Sequence, residues 1–474
     1  MSHKSIFNKT AAVFTASLIA IGALGVVSPA KAIINCTNAT SDGNGCTVLN
    51  ILYFGDVIEP ALVTAYKKIH PEIKLNYVRK DLDPLNGTIL VNNCATGGMN
   101  DPDIASIEVS YAGYWKSYPQ CFTNLNTMHS TDGNKSAADI KSQFLAWRWD
   151  QGVGNDKSVI GIPTDVGGLQ VAYRWDLLKL AGLPYQRDAV GAQWNTWDKF
   201  IAFGKRYMTA VKSASFKSAL TALTKSKDQA TRDFYKTQAP LSFVDNVATV
   251  YASILNQGTQ KYYADNGTPT GKTIYKTNPQ VKLAFDTTVA ASKSGIGARI
   301  GQFSSDWNVG MTKGTFATML APAWMMDYIK GQAPATAGKW DIANIPGGGG
   351  NQGGSQLAIP KGAKHKQAAW DFITWYLAPA QQLTVFQTYG LFPSTKTLYT
   401  SGDLVGFKDP FFNNAQVGSI YVKGILKLKP IFEGKKERCI DMAMGSALSL
   451  VINGKEKVPA KAFTKGLSDA DKCN

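Results

Sequence analysis

Two acidic side chains, Glu108 and Asp165, each follow an apolar run and could do either of two kinds of chemistry. Held roughly 5–10 Å apart with one of them protonated, a carboxylate pair hydrolyses glycosidic bonds. Without a bond to break, the same groups accept charge-assisted hydrogen bonds from a polyhydroxylated ligand. Glu108 comes after the strand-like run Asp103 to Ile107 and is followed by Ser110 and Tyr111. A carboxylate at the end of a strand is costly to bury without partners, and ligand hydroxyls would be suitable ones. Asp56 stands in the same way after the apolar run Val48 to Phe54, where an Asx-turn is its other use. Aromatic rings would supply the flat apolar faces on which pyranose C–H groups stack. Trp324, after Ala321-Pro322-Ala323, and Trp307, at helical spacing from Met311, are candidates, with core packing as the competing role.

Other chemistries find less in the chain. Gly267 to Thr273, GTPTGKT, is one residue short of a phosphate loop and follows the polar YYADN rather than a buried strand. The glycine run 347–350 lacks a following GK[ST]. No two cysteines have CxxC spacing, and His70, His129 and His365 have no metal-like partner spacing, so neither a metal nor a cofactor is expected. No Ser-His-Asp arrangement is evident, and the chain is not expected to be an enzyme.

The elements that must position these residues alternate. Val48 to Phe54 reads as a buried strand, Pro60 to Ile69 as a helix, Ile73 to Val78 as a strand and Asp103 to Ile107 as another. Such βαβα order predicts an α/β fold with a parallel, doubly wound sheet and ligands at the carboxyl ends of its strands. From Trp197 to Ile329 the pattern is mostly amphipathic helix: Trp197 to Val211, Ser215 to Thr224, Leu241 to Gln257, Pro279 to Ser294 and Asp306 to Lys313. Thr196 is a natural N-cap for the first of these.

Met1 to Ala32 has the form of a cleavable secretory leader, with basic Lys4 and Lys9, an apolar stretch from Ala11 to Val27, and Ala30-Lys31-Ala32 at the cleavage site. The mature protein is expected to be exported, to the periplasm or the cell surface. Removing Lys4, Lys9 and Lys31 from a chain of net charge +16 leaves +13. That charge favours acidic partners at long range, but the lysines are dispersed and no nucleic-acid module accompanies them. The denser tract Lys423 to Arg438 interleaves Leu, Ile and Phe and reads as ordinary packing. Six cysteines in an exported chain suggest disulfides; Cys36 with Cys46, Cys94 with Cys121 and Cys439 with Cys473 is the most local of the possible pairings. With 44% hydrophobic residues there is material for two cores.

Three segments carry a resemblance. GIPTDVGGLQVAYRWDLLKLAGLPY, followed by NTWDKF, is similar to the crossing region of the family-1 extracellular sugar-binding proteins of bacterial ABC importers. KGTFATMLAPAWMMDYI (Lys313 to Ile329) and the stretch from Trp340 to Ser394 resemble two later segments of that family, in the expected order. The resemblance implies a two-lobed, type II periplasmic-binding fold with a hinge of crossing strands and an interlobe ligand cleft. The lobes would be residues 33–164 plus about 358–390, and 165–357 plus about 391–474. The first crossing would fall near Thr164 to Gly168 and the second near Gln356 to Ile359. It further implies a non-catalytic, monomeric protein that binds a neutral mono- or oligosaccharide and delivers it to ABC permease subunits. Trp324 would stack on a sugar ring; Asp56, Glu108, Ser110, Tyr111 and Asp165 would bind hydroxyls. Asp245 with its neighbour Asn246, Trp307, and Ser355 after Gly353-Gly354 would be further contacts. The charge leaves open an anionic ligand, such as a uronate oligosaccharide or a phosphorylated polyol, and the carboxylate pair leaves open a secreted glycosidase.

Overall fold

The computed structural model describes residues 41–89 and 102–473, with Cys36 and Ala39; the expected leader and Cys94 lie outside the described residues. Two sheets organise the chain. The first has the strand order Ile73–Arg79, Thr47–Tyr53, Ile104–Glu108, Ser355–Ala358, Ile162–Pro163. Thr47 pairs with Ile73 and Ile51 with Ile104 in parallel register, the first of these pairs joined through the helix Pro60–Ile69. Ser355–Ala358 alone runs against its neighbours, Ser355 facing Glu108 and Gln356 facing Pro163. The expectation of a wholly parallel sheet fails at this strand, because it is chain returning from the second sheet.

The second sheet has the order Trp340–Ala343, Leu169–Arg174, Phe316–Pro322, Ser242–Val244. The chain passes outward between Pro163 and Leu169 and back between Ala343 and Ser355. Gln356 to Ala358, expected in the second crossing, are already paired in the first sheet, so the return is made by the glycine-rich segment 344–354. A short strand, Asp165–Val166, pairs antiparallel with Phe392–Pro393, which brings a third passage beside the first.

Helix Trp197–Ala210 forms as its pattern predicts, and Thr196 caps it by accepting from the Lys199 amide at 3.3 Å. Leu241 to Gln257 is not one helix. Ser242–Val244 instead pairs with Phe316–Pro322 as an edge strand, and the helix begins only at Ala248. The local apolar period could not show this, because the strand is selected by a partner far along the chain. Each sheet is covered on both faces. Ile51, Leu49, Trp149, Trp370 and Phe372 pack in one core on the first sheet, and Ile107, Trp115 and Phe122 in another. On the second, Trp194, Phe203, Phe243 and Phe285 lie in one core, and Met319, Trp340, Phe392 and Tyr421 in another.

Disulfides join Cys36 to Cys46 and Cys439 to Cys473; Cys121 is also disulfide-bonded, while its expected partner Cys94 is outside the described residues. Cys439–Cys473 clamps the helices Glu437–Ile452 and Pro459–Ala470 at a sequence separation of 34. Replacing both cysteines by serine should cost about 2–4 kcal/mol through the freed unfolded chain, measured as a lower denaturation midpoint without loss of helix. No helix among the described residues is long and apolar enough to cross a membrane.

Candidate ligand-binding cleft

The two passages between the sheets are bound to each other by a buried polar network. Thr164 Oγ1 lies 2.6 Å from Asp165 Oδ1 and 2.9 Å from the Ser355 carbonyl, and the Ser355 amide donates to Asp165 Oδ1 at 2.8 Å. Arg148 is wholly buried; its Nε donates to the Asp165 carbonyl at 2.9 Å and its Nη2 to the Ser355 carbonyl at 2.6 Å, while Nη1 meets Gln151 Oε1. Burial pushes the Asp165 carboxyl up, opposed by Arg148, Thr164 and the Ser355 amide. Asp165 and Ser355 were expected to touch ligand. The structure gives them hinge bonds, Ser355 through its backbone.

Glu108 ends its strand beside this hinge and caps the turn that follows, accepting from the Ser110 amide at 2.9 Å and from the Ser110 hydroxyl. Burial pushes its carboxyl up, against the two Ser110 bonds and the charges of Arg438 and Arg148. Gly353, at φ +81°, threads between it and Trp324: a Cβ there would lie 3.1 Å from Trp324 Nε1 and 3.9 Å from Glu108 Oε1. Glycine is required both by that conformation and by the close approach. Trp324 Nε1 donates to the Gln352 carbonyl at 3.0 Å.

Trp324 follows the strand Phe316–Pro322, is half-buried, and packs against one core of each sheet. Its ring is stacked on Phe303 at 6.4 Å and 21°. Phe303 is 53% exposed and holds φ +64°, with Tyr328 edge-on at 5.4 Å. Behind this pair, Trp307 is fully buried and donates its indole N–H to Asp245 Oδ2 at 2.9 Å; Gln302 reaches the same oxygen at 3.3 Å. Asp245 is fully buried too, its carboxyl pushed up to about 6 by burial, and its Oδ1 has no hydrogen-bond partner. Expected as contacts, Trp307 and Asp245 stand as supports for the Phe303–Trp324 stack.

A second group of acidic residues from both lobes lies close enough to interact electrostatically. Asp56 is exposed and pairs with Arg79 at 2.7 Å. Glu59 caps the helix Pro60–Ile69 through the Ala61 amide at 2.7 Å. Across from them Asp327, in the first turn of helix Met325–Gln332, is held above the usual carboxylate range by burial, with Asp56, Asp409 and Glu59 adding to the shift and Lys330 opposing it. The Tyr389 hydroxyl is raised by burial and by the charges of Glu59, Asp56 and Asp327.

On the other side of Glu108, helix Ala112–Lys116 and the segment 432–438 meet in three rungs. Tyr111 donates to Asp83 at 2.8 Å, Arg438 pairs with the same oxygen at 2.7 Å, and the guanidinium lies 5.0 Å over the Tyr111 ring. Gly113 is pressed on Gly434, where a Cβ would come within 2.4 Å of the carbonyl oxygen. The Lys116 ammonium lies 5.8 Å over Phe432. Beside this last rung Gln151 Nε2 donates to both oxygens of Glu433 at 3.1 Å. Phe303, Arg438 and Arg148 were not singled out by the sequence. An aromatic in the otherwise polar loop after Gly301 was the one available signal; Arg438 lay in a tract read as packing. Among the described residues, no group of three His, Cys, Asp or Glu side chains is placed to hold a metal ion.

Residues 61–410 match the family described as bacterial extracellular solute-binding protein. No curated protein sequence matches the chain. Among solved structures, an extracellular solute-binding protein of family 1 is 28% identical, with 90% of this chain and 99% of that one covered and a TM-score of 0.73. An ABC transporter associated binding protein from B. animalis subsp. lactis Bl-04, in complex with beta-1,6-galactobiose, is 19% identical over 89% and 95%, TM-score 0.66. The galacto-N-biose-/lacto-N-biose I-binding protein from Bifidobacterium longum, in complex with lacto-N-biose, is 15% identical over 91% and 97%, TM-score 0.66. These last two share the two-lobed fold.

Proposed function

The chain belongs to the bacterial extracellular solute-binding proteins, and on that premise we propose that it captures a neutral mono- or oligosaccharide between its two lobes and presents it, as a monomer, to an ABC permease. The lobes were expected as residues 33–164 with about 358–390, and 165–357 with about 391–474; because the return strand Ser355–Ala358 lies in the sheet of the first, we draw that boundary at 354/355. One observation carries the reading: Trp324 packs on cores of both sheets, stacked on an exposed Phe303, with the Glu108 carboxylate just across Gly353. A flat apolar face flanked by acceptors is the recognition chemistry of a pyranose ring. Trp324 takes a ring face; Glu108 with Ser110, Tyr111 and Asp56 meet hydroxyls. Asp165, Ser355, Asp245 and Trp307 position these groups. The sugar complexes of the B. animalis subsp. lactis and Bifidobacterium longum proteins support the ligand class.

An anionic ligand is disfavoured by Asp56, Glu59, Glu108 and Asp327, because the cations acting on them are already engaged: Arg79, Arg438 and Lys330 in ion pairs and Arg148 on backbone carbonyls. A glycosidase is disfavoured because Glu108 and Asp165 are engaged by Ser110 and by the hinge. Calorimetry against neutral sugars, uronates and glycerol phosphates tests the reading. Tight binding of an intact neutral sugar is expected, weakened about ten- to a hundredfold, or roughly 1.4–2.8 kcal/mol, by Trp324→Ala. Phe303→Ala, which removes an exposed ring, should weaken binding without lowering stability. Tighter binding of the anions, or recovery of a cleaved sugar, would overturn it.

A further inference from the structure

Beyond the Gly113–Gly434 rung, on the side of Lys116 and away from Tyr111, the lobes line a separate, half-open cavity of about 740 Å³. That volume lies within the range of small-molecule sites. One wall comes from the first lobe, with Trp147, Asn155 and Lys157; the other comes from the second, with Thr259, Phe432 and the turn Gly267–Pro269. This turn is the GTPTGKT stretch, which the hairpin Tyr263–Ala264 and Lys272–Thr273 holds out toward the first lobe. Its glycines serve the hairpin, and no phosphate loop is formed.

The lining has the character of a neutral polyol site. Trp147, which is half-buried, lines one side and Phe432 the other. Asn155, Thr259, Gln260 and Thr268 offer uncharged donors and acceptors between them. Lys116 is drawn largely out of water, which pushes its ammonium down, and the charges around it have both signs: Glu433, Asp150 and Asp265 against Lys157. Among the described residues no carboxylate comes within 4.0 Å of that ammonium to neutralise it. A ligand of strong charge of either sign would meet its like here, whereas hydroxyls can accept from Lys116 and donate to the acids.

We propose that this cavity is a second carbohydrate site, which takes a neutral oligosaccharide and is complete only while the lobes are closed. Its walls belong to different lobes, so it rests on the closing motion of the proposed function. A sugar in it therefore strengthens binding in the main cleft, and the reverse.

The test uses the full mature chain, with maltotetraose, cellotetraose, a β-1,4-galactotetraose and a tetragalacturonate as probes, read by tryptophan fluorescence and calorimetry. Trp324→Ala weakens the main cleft about ten- to a hundredfold, so the second site is read as the binding in that variant that a further substitution at the cavity removes. Thr259→Trp, at the exposed rim, fills the cavity and touches nothing in the main cleft. The expected result is saturable binding of a neutral tetrasaccharide in Trp324→Ala, weakened about tenfold or more by adding Thr259→Trp. Wild-type binding with none in Trp324→Ala overturns the second site and leaves the proposed function standing. No neutral sugar bound by any variant overturns both. Retention of binding after Thr259→Trp places the second site elsewhere, and a preference for tetragalacturonate overturns its neutral class.

Discussion

Arg148→Met is expected to lower the unfolding free energy by about 2–4 kcal/mol, at about 1–3 kcal/mol for each buried carbonyl left without its donor. Arg148 is wholly buried and donates to the Asp165 and Ser355 carbonyls, one on each passage between the lobes. Methionine fills much of the volume but leaves both carbonyls without that donor, and leaves the buried Asp165 carboxylate without the guanidinium that opposes its desolvation. Arg148→Lys keeps the charge yet cannot reach both carbonyls with a planar fork, and should recover only part of the loss. Denaturant titration of the three proteins measures this. Unchanged midpoints would mean that the hinge is held by its strand pairing alone.

The second large effect is on pH. Glu433 lies in the second lobe, and its half-buried carboxylate is set against the first, where Gln151 donates to both oxygens. Burial pushes it up to about 8; Glu437 adds to the shift, while Lys261, Lys116 and Arg148 oppose it. Glu437 is itself raised by burial, beside Lys261 and Asp441. Opening the lobes returns Glu433 to water and to the ordinary carboxylate range. Its closed-state value is therefore the higher one, and closure takes up a proton. The closed form is favoured in full at acid pH and loses that advantage as pH rises through about 8. Since the sugar is held by the closed form, its affinity should fall with rising pH, by up to about tenfold per unit between the two values. Glu433→Gln should flatten the profile and tighten binding at alkaline pH. A wild-type profile already flat from acid to alkaline pH would show that Glu433 stays solvated.

What could be read from the chain alone follows from how local each cause is. Helix Trp197–Ala210 was legible because its cap, Thr196, and its apolar face lie within a few turns of each other. Trp324 and Glu108 were legible as residues at the carboxyl ends of strands. Ser242–Val244 was not, since an edge strand this short is chosen by its partner Phe316–Pro322 rather than by its own pattern. Phe303 reaches Trp324 only through a left-handed backbone in a loop. Asp245 and Trp307 were each singled out as ligand contacts, not as partners of one another. That they satisfy each other out of reach of solvent depends on packing that no spacing records. Arg438 gains its role solely where two separately folded lobes meet, at Tyr111 and Asp83.

The most direct test of a cleft that closes on a sugar is small-angle scattering from the mature protein, with and without a saturating neutral oligosaccharide identified by calorimetry. Rigid-body closure about the Asp165 and Ser355 passages predicts a smaller radius of gyration with sugar bound, and no such change for the variant that carries both Trp324→Ala and Thr259→Trp. A sugar-bound profile no more compact than the ligand-free one would contradict the account.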